Sequence, residues 1–397
     1  PVSSAARPAP LRGLLFHTAS SAELEGHMPC GCISGVCQLF GRSPARKPVS
    51  EEDKALLDCI SRQGLLELLG EGVGGRVYSL STEKDLGNKT AFKAKPLKQE
   101  GDAAEPTAAV GLTCRKGLKP GSPNQDSAML LQVEGDFSLY GVFGGHGSKG
   151  HEASDFVKDV LPKLIVKDAR FKEGRRELAG VLQDAFAKTQ DLISAHEEVQ
   201  RAGWWQRSGT NATIVVHDHR SGRLTVANVA RSACALGKGP GADGRYAAAV
   251  KLTVDHAPDD QEERRRVEQA GGCVVFDGLC DHRINVKDGT YPGLSMARAF
   301  GDTLSRAPCG IIEEPTIREL DLQEEDRVLI LGSFGLWTFL TEAEAARCVG
   351  LFKAEKAKAA ADKLAKLAWD RWIQEEGGSL VEDITVLVVG LRDPPPS

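Results

Sequence analysis

Residues 140–154, YGVFGGHGSKGHEAS, have the composition of a loop that holds phosphate or metal. An apolar strand end runs into Gly-Gly-His-Gly, and a helical pattern begins near His151. Glycines let the backbone approach a ligand closely, and the N-terminus of a helix attracts anions. Divalent cations prefer carboxylate ligands, however, and the Gly-Gly-His-Gly segment contains none. The stretch therefore indicates either a working phosphate or metal site or a site that has lost its ligands.

A second glycine-rich stretch, LGEGVGGRVYSL, has the spacing of the phosphate loop of protein kinases. Gly70, Gly72, Gly75 and Val77 fit G-x-G-x-x-G-x-V, and Lys93 follows in TAFKAK. Neither an H-R-D catalytic loop nor a D-F-G segment follows, so the base and magnesium functions of a kinase have no residues. We interpret the stretch as a coincidental or vestigial hairpin.

Three cysteines, Cys30, Cys32 and Cys37, cluster in the N-terminal stretch MPCGCISGVCQLF. A zinc site would need a fourth ligand, and His27 is the nearest candidate. Cysteines beside apolar residues are also candidates for S-acylation, which would attach the protein peripherally to a membrane. Free thiols in a disordered tail are the third interpretation. The remaining cysteines are scattered and no signal peptide is recognisable, which favours a cytoplasmic protein.

The bulk composition argues against two classes of protein. A net charge of −5 and a pI near 6.1 give no electrostatic basis for binding nucleic acid. No apolar run approaches the roughly 20 residues that a membrane-spanning helix needs. The 397 residues, 41% of them hydrophobic, suffice for one large domain with extensions or for two domains.

The elements that must position these residues follow from the hydrophobic pattern. Residues 1–50 are predicted to be disordered, and 51–108 to hold a short helix, the glycine-rich hairpin and a linker over 98–108. From about residue 109, strands are predicted at SAMLLQV, FSLYGVF, TNATIVVHDHRSGRLTVANVA (a hairpin), DRVLILGSFGLW and DITVLVVGL, and helices at 151–166, 174–202, TEAEAARCVG and AEKAKAAADKLAKLAWDRWI. Antiparallel strands interrupted by helix pairs predict two packed sheets with helices outside.

The order of these segments, with their motifs, is similar to that of a known family. The motifs are PNQDSAML, GVFGGHGSKG, SGTNATIVV, VANVARSACAL, LTVDHAPDDQEERRRVEQAGGCVV, YPGLSMARAFGD, LILGSFGLW and VEDITVLVV. In this order, over residues 109–393, the chain resembles the metal-dependent serine/threonine phosphatases of the protein phosphatase 2C (PPM) family. The resemblance implies an α+β fold, an α-β-β-α sandwich of two antiparallel sheets flanked by helices, with the site at one end of the sheets.

The resemblance also implies a chemistry, and the sequence departs from it at the metals. In such phosphatases an aspartate bridges two Mg²⁺ or Mn²⁺ ions, which generate a hydroxide and orient the phosphate, and a histidine protonates the leaving oxygen. The family's acidic positions fall on Gly144 (the bridging aspartate), Phe334, Arg231, Thr338, Gln125 and Glu382. Asp126, Glu382 and the Gly145 carbonyl remain as candidate metal ligands, and His146 as the candidate catalytic residue.

These departures predict a catalytically impaired pseudophosphatase that acts as a phosphoprotein-binding or regulatory module. A residual Mg²⁺- or Mn²⁺-dependent phosphatase that hydrolyses phosphoserine and phosphothreonine is the alternative. No cofactor is expected in the first case, and Mg²⁺ or Mn²⁺ in the second. The expected partners are phosphoproteins or signalling proteins.

Three side chains near the predicted site have open roles. Asp136 and Asp383 are either ligands of a single ion or solvated acids at a turn and a strand edge. Arg231 is either the cation that replaces the metals beside Asp126 and Glu382, or a side chain that points to solvent.

Overall fold

The computed structural model of the chain describes residues 49–70, 74–87, 89–106, 109–239, 248–278 and 281–391. Gly72, His27, the cluster of Cys30, Cys32 and Cys37, and nearly all of the segment predicted to be disordered lie outside these ranges. No helix within them is long and apolar enough to cross a membrane.

The strands are β1 (Val77–Thr82), β2 (Leu97–Gly101), β3 (Val110–Arg115), β4 (Asp126–Val133), β5 (Phe137–Gly147), β6 (Ser208–Thr210), β7 (Ala212–Asp218), β8 (Arg223–Val229), β9 (Ala233–Lys238), β10 (Ala248–Lys251), β11 (Gly272–Phe276), β12 (His282–Val286), β13 (Pro292–Leu294), β14 (Phe300–Gly301), β15 (Thr316–Asp321), β16 (Asp326–Gly332) and β17 (Ile384–Gly390). The helices are α1 (Glu51–Arg62), α2 (Leu65–Leu69), α3 (Gly150–Lys167), α4 (Ala169–Lys172), α5 (Leu178–Val199), α6 (Gln261–Ala270), α7 (Arg306–Cys309), α8 (Phe334–Trp337), α9 (Glu342–Val349) and α10 (Ala357–Glu375).

Two antiparallel sheets form the centre of the fold. The larger sheet has the order β15-β8-β7-β5-β4-β1-β2, and its β5 also pairs with β6, which in turn pairs with β14. The second sheet has the order β10-β9-β16-β17-β3. A small third sheet has the order β11-β12-β13, and its strands follow α6 in the sequence. The long strands β4, β7, β8, β16 and β17 are rich in β-branched and aliphatic residues, which suit a pleated surface buried on both faces.

Hydrophobic packing divides the domain into layers. One core lies between the larger sheet and α3 to α5, with Leu131, Val157 and Phe186 among its residues. A second core lies between the two sheets and includes Tyr140 and Leu331. A third core lies between the second sheet and α9 and α10. Since helices cover the outer face of each sheet, the α-β-β-α sandwich is confirmed.

Most of the predicted elements are present. The pairs β4–β5 and β7–β8, the two helices after the Gly-Gly-His-Gly segment, α9, α10 and β17 are confirmed. The short helix predicted at the start of residues 51–108 is broken into α1 and α2 at Gly64, and Ser50 caps α1 by accepting a bond from the Asp53 amide at 3.0 Å.

Two predicted elements are wrong in part. The linker over 98–108 begins inside β2, which pairs with β1, and β1 pairs in turn with β4 of the larger sheet. Lys93, the kinase-like lysine, lies exposed in the connection between β1 and β2. The strand predicted over DRVLILGSFGLW ends at Gly332, because the Ser333 hydroxyl accepts the Thr385 amide at 3.0 Å and the chain then turns into α8.

Candidate functional site

A cavity of about 200 Å³ lies at one end of the two sheets, where β4 begins, β5 and β16 end, and β17 begins. Its lining residues are Lys119, Gln125, Asp126, Gly144, Gly145, His146, Gly147, Asn211, Arg231, Ser295, Met296, Phe334, Gly335, Glu382 and Asp383. The fold thus brings together the predicted site residues except Thr338 and Asp136. The Thr338 hydroxyl instead donates to the Phe334 carbonyl at 2.8 Å, at the end of α8.

The Gly-Gly-His-Gly segment is the last part of β5 rather than a loop. Gly144 lies opposite Asp126 on β4, and the strand continues to Gly147 by pairing with β6. A Cβ atom at Gly145 would lie 2.1 Å from the Gly150 carbonyl oxygen, so only glycine allows α3 to begin so close to the strand. Gly145 therefore allows α3 to begin against the cavity wall.

The space beside Gly144 is occupied by the side chain of Asn211. Its Oδ1 accepts a hydrogen bond from the Gly144 amide at 2.8 Å, and the Asn211 amide donates to the Gly144 carbonyl at 3.1 Å. A Cβ atom added at Gly144 would lie 2.7 Å from Asn211 Nδ2. An aspartate at this position would therefore require Asn211 to move.

Two buried carboxylates, Asp126 and Asp383, line the cavity. Asp126 accepts a bond from the Thr385 hydroxyl at 2.8 Å. Asp383 accepts bonds from the backbone amides of Gly117 at 2.6 Å and Gln125 at 2.8 Å. Burial, and next the charge of Asp383, raise the pKa of Asp126 above its ordinary value. Both side chains are only 5% exposed, so the prediction of a solvated strand-edge acid at 383 is wrong.

Glu382 has a different partner, the ammonium group of Lys119, with which it forms an ion pair. The two side chains are 28% and 29% exposed. Burial by itself lowers the pKa of Lys119, but the charges of Glu382, Asp383 and Asp126 outweigh burial, so the pKa is raised. Lys119 is therefore a cation that pairs with Glu382 in a cavity that Asp126 and Asp383 also line.

Arg231 is neither the partner of Asp126 and Glu382 nor a side chain in free solvent. Its guanidinium carbon lies 4.2 Å from the centre of the Phe334 ring, a cation–π contact. One guanidinium nitrogen lies 3.4 Å from an oxygen of Asp281, which precedes β12 of the small sheet. The Phe334 ring also packs against the core of the second sheet. Arg231 thus connects the cavity wall to the small sheet.

His146 is paired with a buried carboxylate. The strand order β14-β6-β5 places the residue after β14, Asp302, next to His146, and Oδ2 of Asp302 lies 2.6 Å from His146 Nε2. Asp302 is 2% exposed. The other ring nitrogen of His146 is buried and has no hydrogen-bond partner among the residues that the structure describes. A carboxylate that orients a histidine in this way is typical of general acid–base pairs.

The remaining candidate, Asp136, lies away from the cavity. It occupies the turn at the opposite end of the β4–β5 hairpin and pairs with Arg175 and Arg220. Across the ranges that the structure describes, no group of three or more His, Cys, Asp or Glu side chains is arranged to hold a metal ion.

Sequence reasoning missed Lys119, Asn211 and Asp302 as site residues. Asn211 and Asp302 stood in quoted motifs, SGTNATIVV and YPGLSMARAFGD, and Asn211 is a visible departure from S-G-T-T-A. Lys119 had no such signal, because its partner is 263 positions away in the sequence.

Comparison with known proteins places the chain in a family. The sequence profile of protein phosphatase 2C matches residues 120–376. The chain belongs to the protein phosphatase 2C family. Probable protein phosphatase 2C 72 of Arabidopsis thaliana is 30% identical over 278 residues, which cover 68% of this chain and 82% of that protein. Probable protein phosphatase 2C 48 of Oryza sativa subsp. japonica is 29% identical over 316 residues, or 74% and 86% of the two chains.

Solved structures share the protein phosphatase 2C fold with this chain. The crystal structure of serine-threonine phosphatase 2C from Toxoplasma gondii superposes with a TM-score of 0.60 and 19% sequence identity, over 79% of this chain and 98% of that one. The structure of a C. elegans sex determining protein gives a TM-score of 0.59 and 21% identity, over 72% and 65%. At such identities the likeness concerns the fold.

Proposed function

We propose that this protein phosphatase 2C-family chain is a catalytically impaired pseudophosphatase that binds phosphoproteins at the former active-site face. The observation that carries the proposal is the contact between Asn211 and Gly144. The position that the family resemblance gives to the bridging aspartate has no side chain, and Asn211 holds the space that an aspartate would enter.

A pair of divalent cations does not fit the residues of this cavity. Mg²⁺ requires near-octahedral oxygen ligands, largely carboxylates and water. At 334 an apolar ring replaces a carboxylate, and a guanidinium covers it at 4.2 Å. A cation, Lys119, already pairs with Glu382. Loss of a residue that hydrogen-bonds to a metal ligand lowers metal affinity about 10–100-fold, and here the ligands themselves are replaced.

Arg231 provides the same cavity with a positive charge for an anionic ligand. Arg231 contacts Asp281 only at 3.4–3.5 Å, which is longer than an ordinary charged hydrogen bond. A phosphate group that entered the cavity would offer Arg231 a doubly charged, bidentate acceptor in place of Asp281. A phosphorylated serine or threonine of a partner protein is the ligand class we propose.

Residual phosphatase activity on phosphoserine and phosphothreonine is the second candidate function, and the His146–Asp302 pair favours it. The pair retains the geometry of a general acid with its orienting carboxylate. Asp126, Glu382 and Asp383 line the same cavity and are the oxygen donors that a Mg²⁺ or Mn²⁺ ion would use.

Two assays on the full chain test the proposal. In the first, phosphoserine and phosphothreonine peptides are incubated with excess Mn²⁺, and we expect no release of phosphate; turnover that is lost in His146→Ala would establish the phosphatase instead. In the second, fluorescence polarisation compares phosphorylated peptides with their unphosphorylated forms. We expect selective binding of the phosphorylated peptides, weakened in Arg231→Met but not in Arg223→Met, whose exposed arginine pairs with Asp321 on the larger sheet. If no phosphorylated peptide binds more tightly than its unphosphorylated form, the binding proposal is wrong.

A further inference from the structure

The fold sets the position of Lys119, whereas the role of this side chain rests on the proposed function because it assumes the impaired metal centre. An isolated bridge joins Leu118 and Val381, and the Leu118 amide donates to the Val381 carbonyl at 2.8 Å. Lys119 and Glu382 are the next residues along the two segments. The Lys116 ammonium donates to the Lys119 carbonyl at 3.1 Å and fixes the backbone there. The fold itself therefore brings the Lys119 side chain to the cavity.

The charged side chains that line the cavity indicate what the Lys119 ammonium group does there. Three carboxyl groups line the cavity, from Asp126, Glu382 and Asp383. Of the two long cationic side chains that line it, Arg231 is directed to Phe334 and Asp281, whereas Lys119 pairs with Glu382. The carboxyl cluster therefore has one cation directed at it within the described lining.

We propose that the Lys119 ammonium is a built-in cation that takes the electrostatic place of a divalent metal among Asp126, Glu382 and Asp383, and that it keeps Mn²⁺ and Mg²⁺ out of the cavity. A divalent ion that entered would have to break the Lys119–Glu382 pair or accept repulsion from an ammonium group at close range. A lysine is suited to this task because its charge is compact and its stem is flexible. The metal exclusion is thus a property of one side chain as well as of the missing aspartates.

The test measures Mn²⁺ binding by electron paramagnetic resonance and calorimetry on the full chain and on Lys119→Met, which keeps the length of the side chain and removes its charge. We expect no binding to the parent chain up to about 1 mM Mn²⁺. We expect Lys119→Met to bind Mn²⁺ with a dissociation constant at least about tenfold below that 1 mM limit, a difference in binding free energy of about 1.4 kcal/mol. The further change Glu382→Gln should abolish that binding.

Two matched variants serve as controls. Lys119→Arg keeps the charge and should exclude Mn²⁺ as the parent chain does. Lys366→Met makes the same chemical change on α10, where the lysine pairs with Asp370 on the surface, and should not bind Mn²⁺. Binding by either control variant would contradict the proposal.

The outcomes separate this inference from the proposed function. If the parent chain excludes Mn²⁺ and Lys119→Met excludes it equally, the role of Lys119 is wrong while the pseudophosphatase proposal stands. If the parent chain itself binds two Mn²⁺ ions, both are wrong. Should Lys119→Met unfold, Lys119→Gln, which can still donate to Glu382, decides the question. If neither variant folds alone, the proposal requires that Mn²⁺ restore folding, because an ion that binds only the folded state stabilises it.

Discussion

Each carboxylate at the end of the two sheets has a partner within the protein. Asp126 is bonded by Thr385, Asp383 by two backbone amides, and Glu382 by Lys119. Hydrogen bonds and an opposite charge stabilise the ionised form of a carboxylate and offset part of the solvation that it loses on burial. The partners therefore compensate the charge of the acid cluster only in part, because the pKa of Asp126 is still raised by burial and by the charge of Asp383.

The turn that leads into Arg231 depends on a neutral histidine. His256 is 1% exposed; its Nδ1 accepts a bond from the Ala230 amide at 2.9 Å, and its Nε2 donates to the Thr316 hydroxyl at 2.8 Å. Ala230 has a φ of 68°, a left-handed conformation that is uncommon for alanine and needs support from its surroundings. Protonation of Nδ1 would remove the acceptor for Ala230, so the imidazole holds this turn only in its neutral form.

Stability should accordingly fall in acid through His256. Burial, and next the charge of Arg298, lower the pKa of His256 from 6.5 to about 4. At pH values between about 4 and 6.5, His256 is protonated in the unfolded chain and neutral in the folded chain. The contribution of neutral His256 to the free energy of unfolding is therefore fully present above pH 6.5. It is lost as the pH falls towards 4, by up to about 3 kcal/mol. Urea unfolding at a series of pH values should show this slope, and His256→Asn should reduce it.

The histidine of the small sheet provides the control for that measurement. His282 is 32% exposed and lies 3.5 Å from Asp259. His282→Asn should keep the slope of the parent chain over the same pH range. A slope that is the same in the parent chain and in His256→Asn would show that another group is responsible.

At the scale of elements, the small sheet is connected to the cavity through Arg231. The sheet packs on its own hydrophobic cluster, which includes Val274, Ile284 and Ile311. The ion pair between Arg231 and Asp281 and the stack on Phe334 join this unit to the end of the second sheet. An anion that occupied the cavity and drew Arg231 away from Asp281 would therefore remove a contact that holds the start of β12.

Removal of this connection should loosen the small sheet more than the rest of the domain. In Arg231→Met the ion pair and the guanidinium stack are lost, and cation–π contacts of partly exposed groups contribute about 0.5–1 kcal/mol. We expect amide hydrogen exchange in β12 to become about twofold to fivefold faster, with β4 and β17 unchanged. Mass spectrometry of peptides from each region measures this effect.

Arg223→Met is the matched variant for the exchange measurement, because Arg223 pairs with Asp321 at the far edge of the larger sheet. It should leave exchange in β12 as in the parent chain. Equal rates in β12 for the parent chain and Arg231→Met would mean that the small sheet does not depend on this arginine.

The elements differ in how far their own residues specify them. The strands β4, β5 and β17 and the helices α5 and α10 were predictable, since each has a long run of the appropriate period. β2 was not, because four of its five residues are exposed and its pairing depends on β1. α8 continues the apolar pattern of β16, and a hydrogen bond between Ser333 and Thr385 ends the strand. The ion pair of Lys119 is likewise a tertiary contact that no local pattern specifies.

At the scale of the whole molecule, the N-terminal hairpin β1–β2 forms one side of the larger sheet. β1 pairs with β4 along five residues, from Val77 opposite Val133 to Ser81 opposite Met129. Beyond the ladder, the Thr82 hydroxyl accepts the Ala128 amide at 3.0 Å. The buried Lys95 ammonium, from the connection between β1 and β2, donates to the Asp126 carbonyl at 2.7 Å. The hairpin thus supports the strand whose first residue lies in the cavity.

A chain that begins at residue 109 should therefore be much less stable than one that begins at residue 74, although both contain the whole segment matched by the family. It would lose the ladder to β4, leave the buried Lys95 site empty and expose an apolar strand edge, which promotes aggregation. At about 1 kcal/mol for each lost hydrogen bond, we expect the melting temperature to fall by about 10 °C or more. Differential scanning calorimetry and the soluble fraction after expression compare the two chains. If the shorter chain melts within a few degrees of the longer one, the hairpin is an accessory to the sandwich, and the support that it gives to Asp126 is not needed for folding.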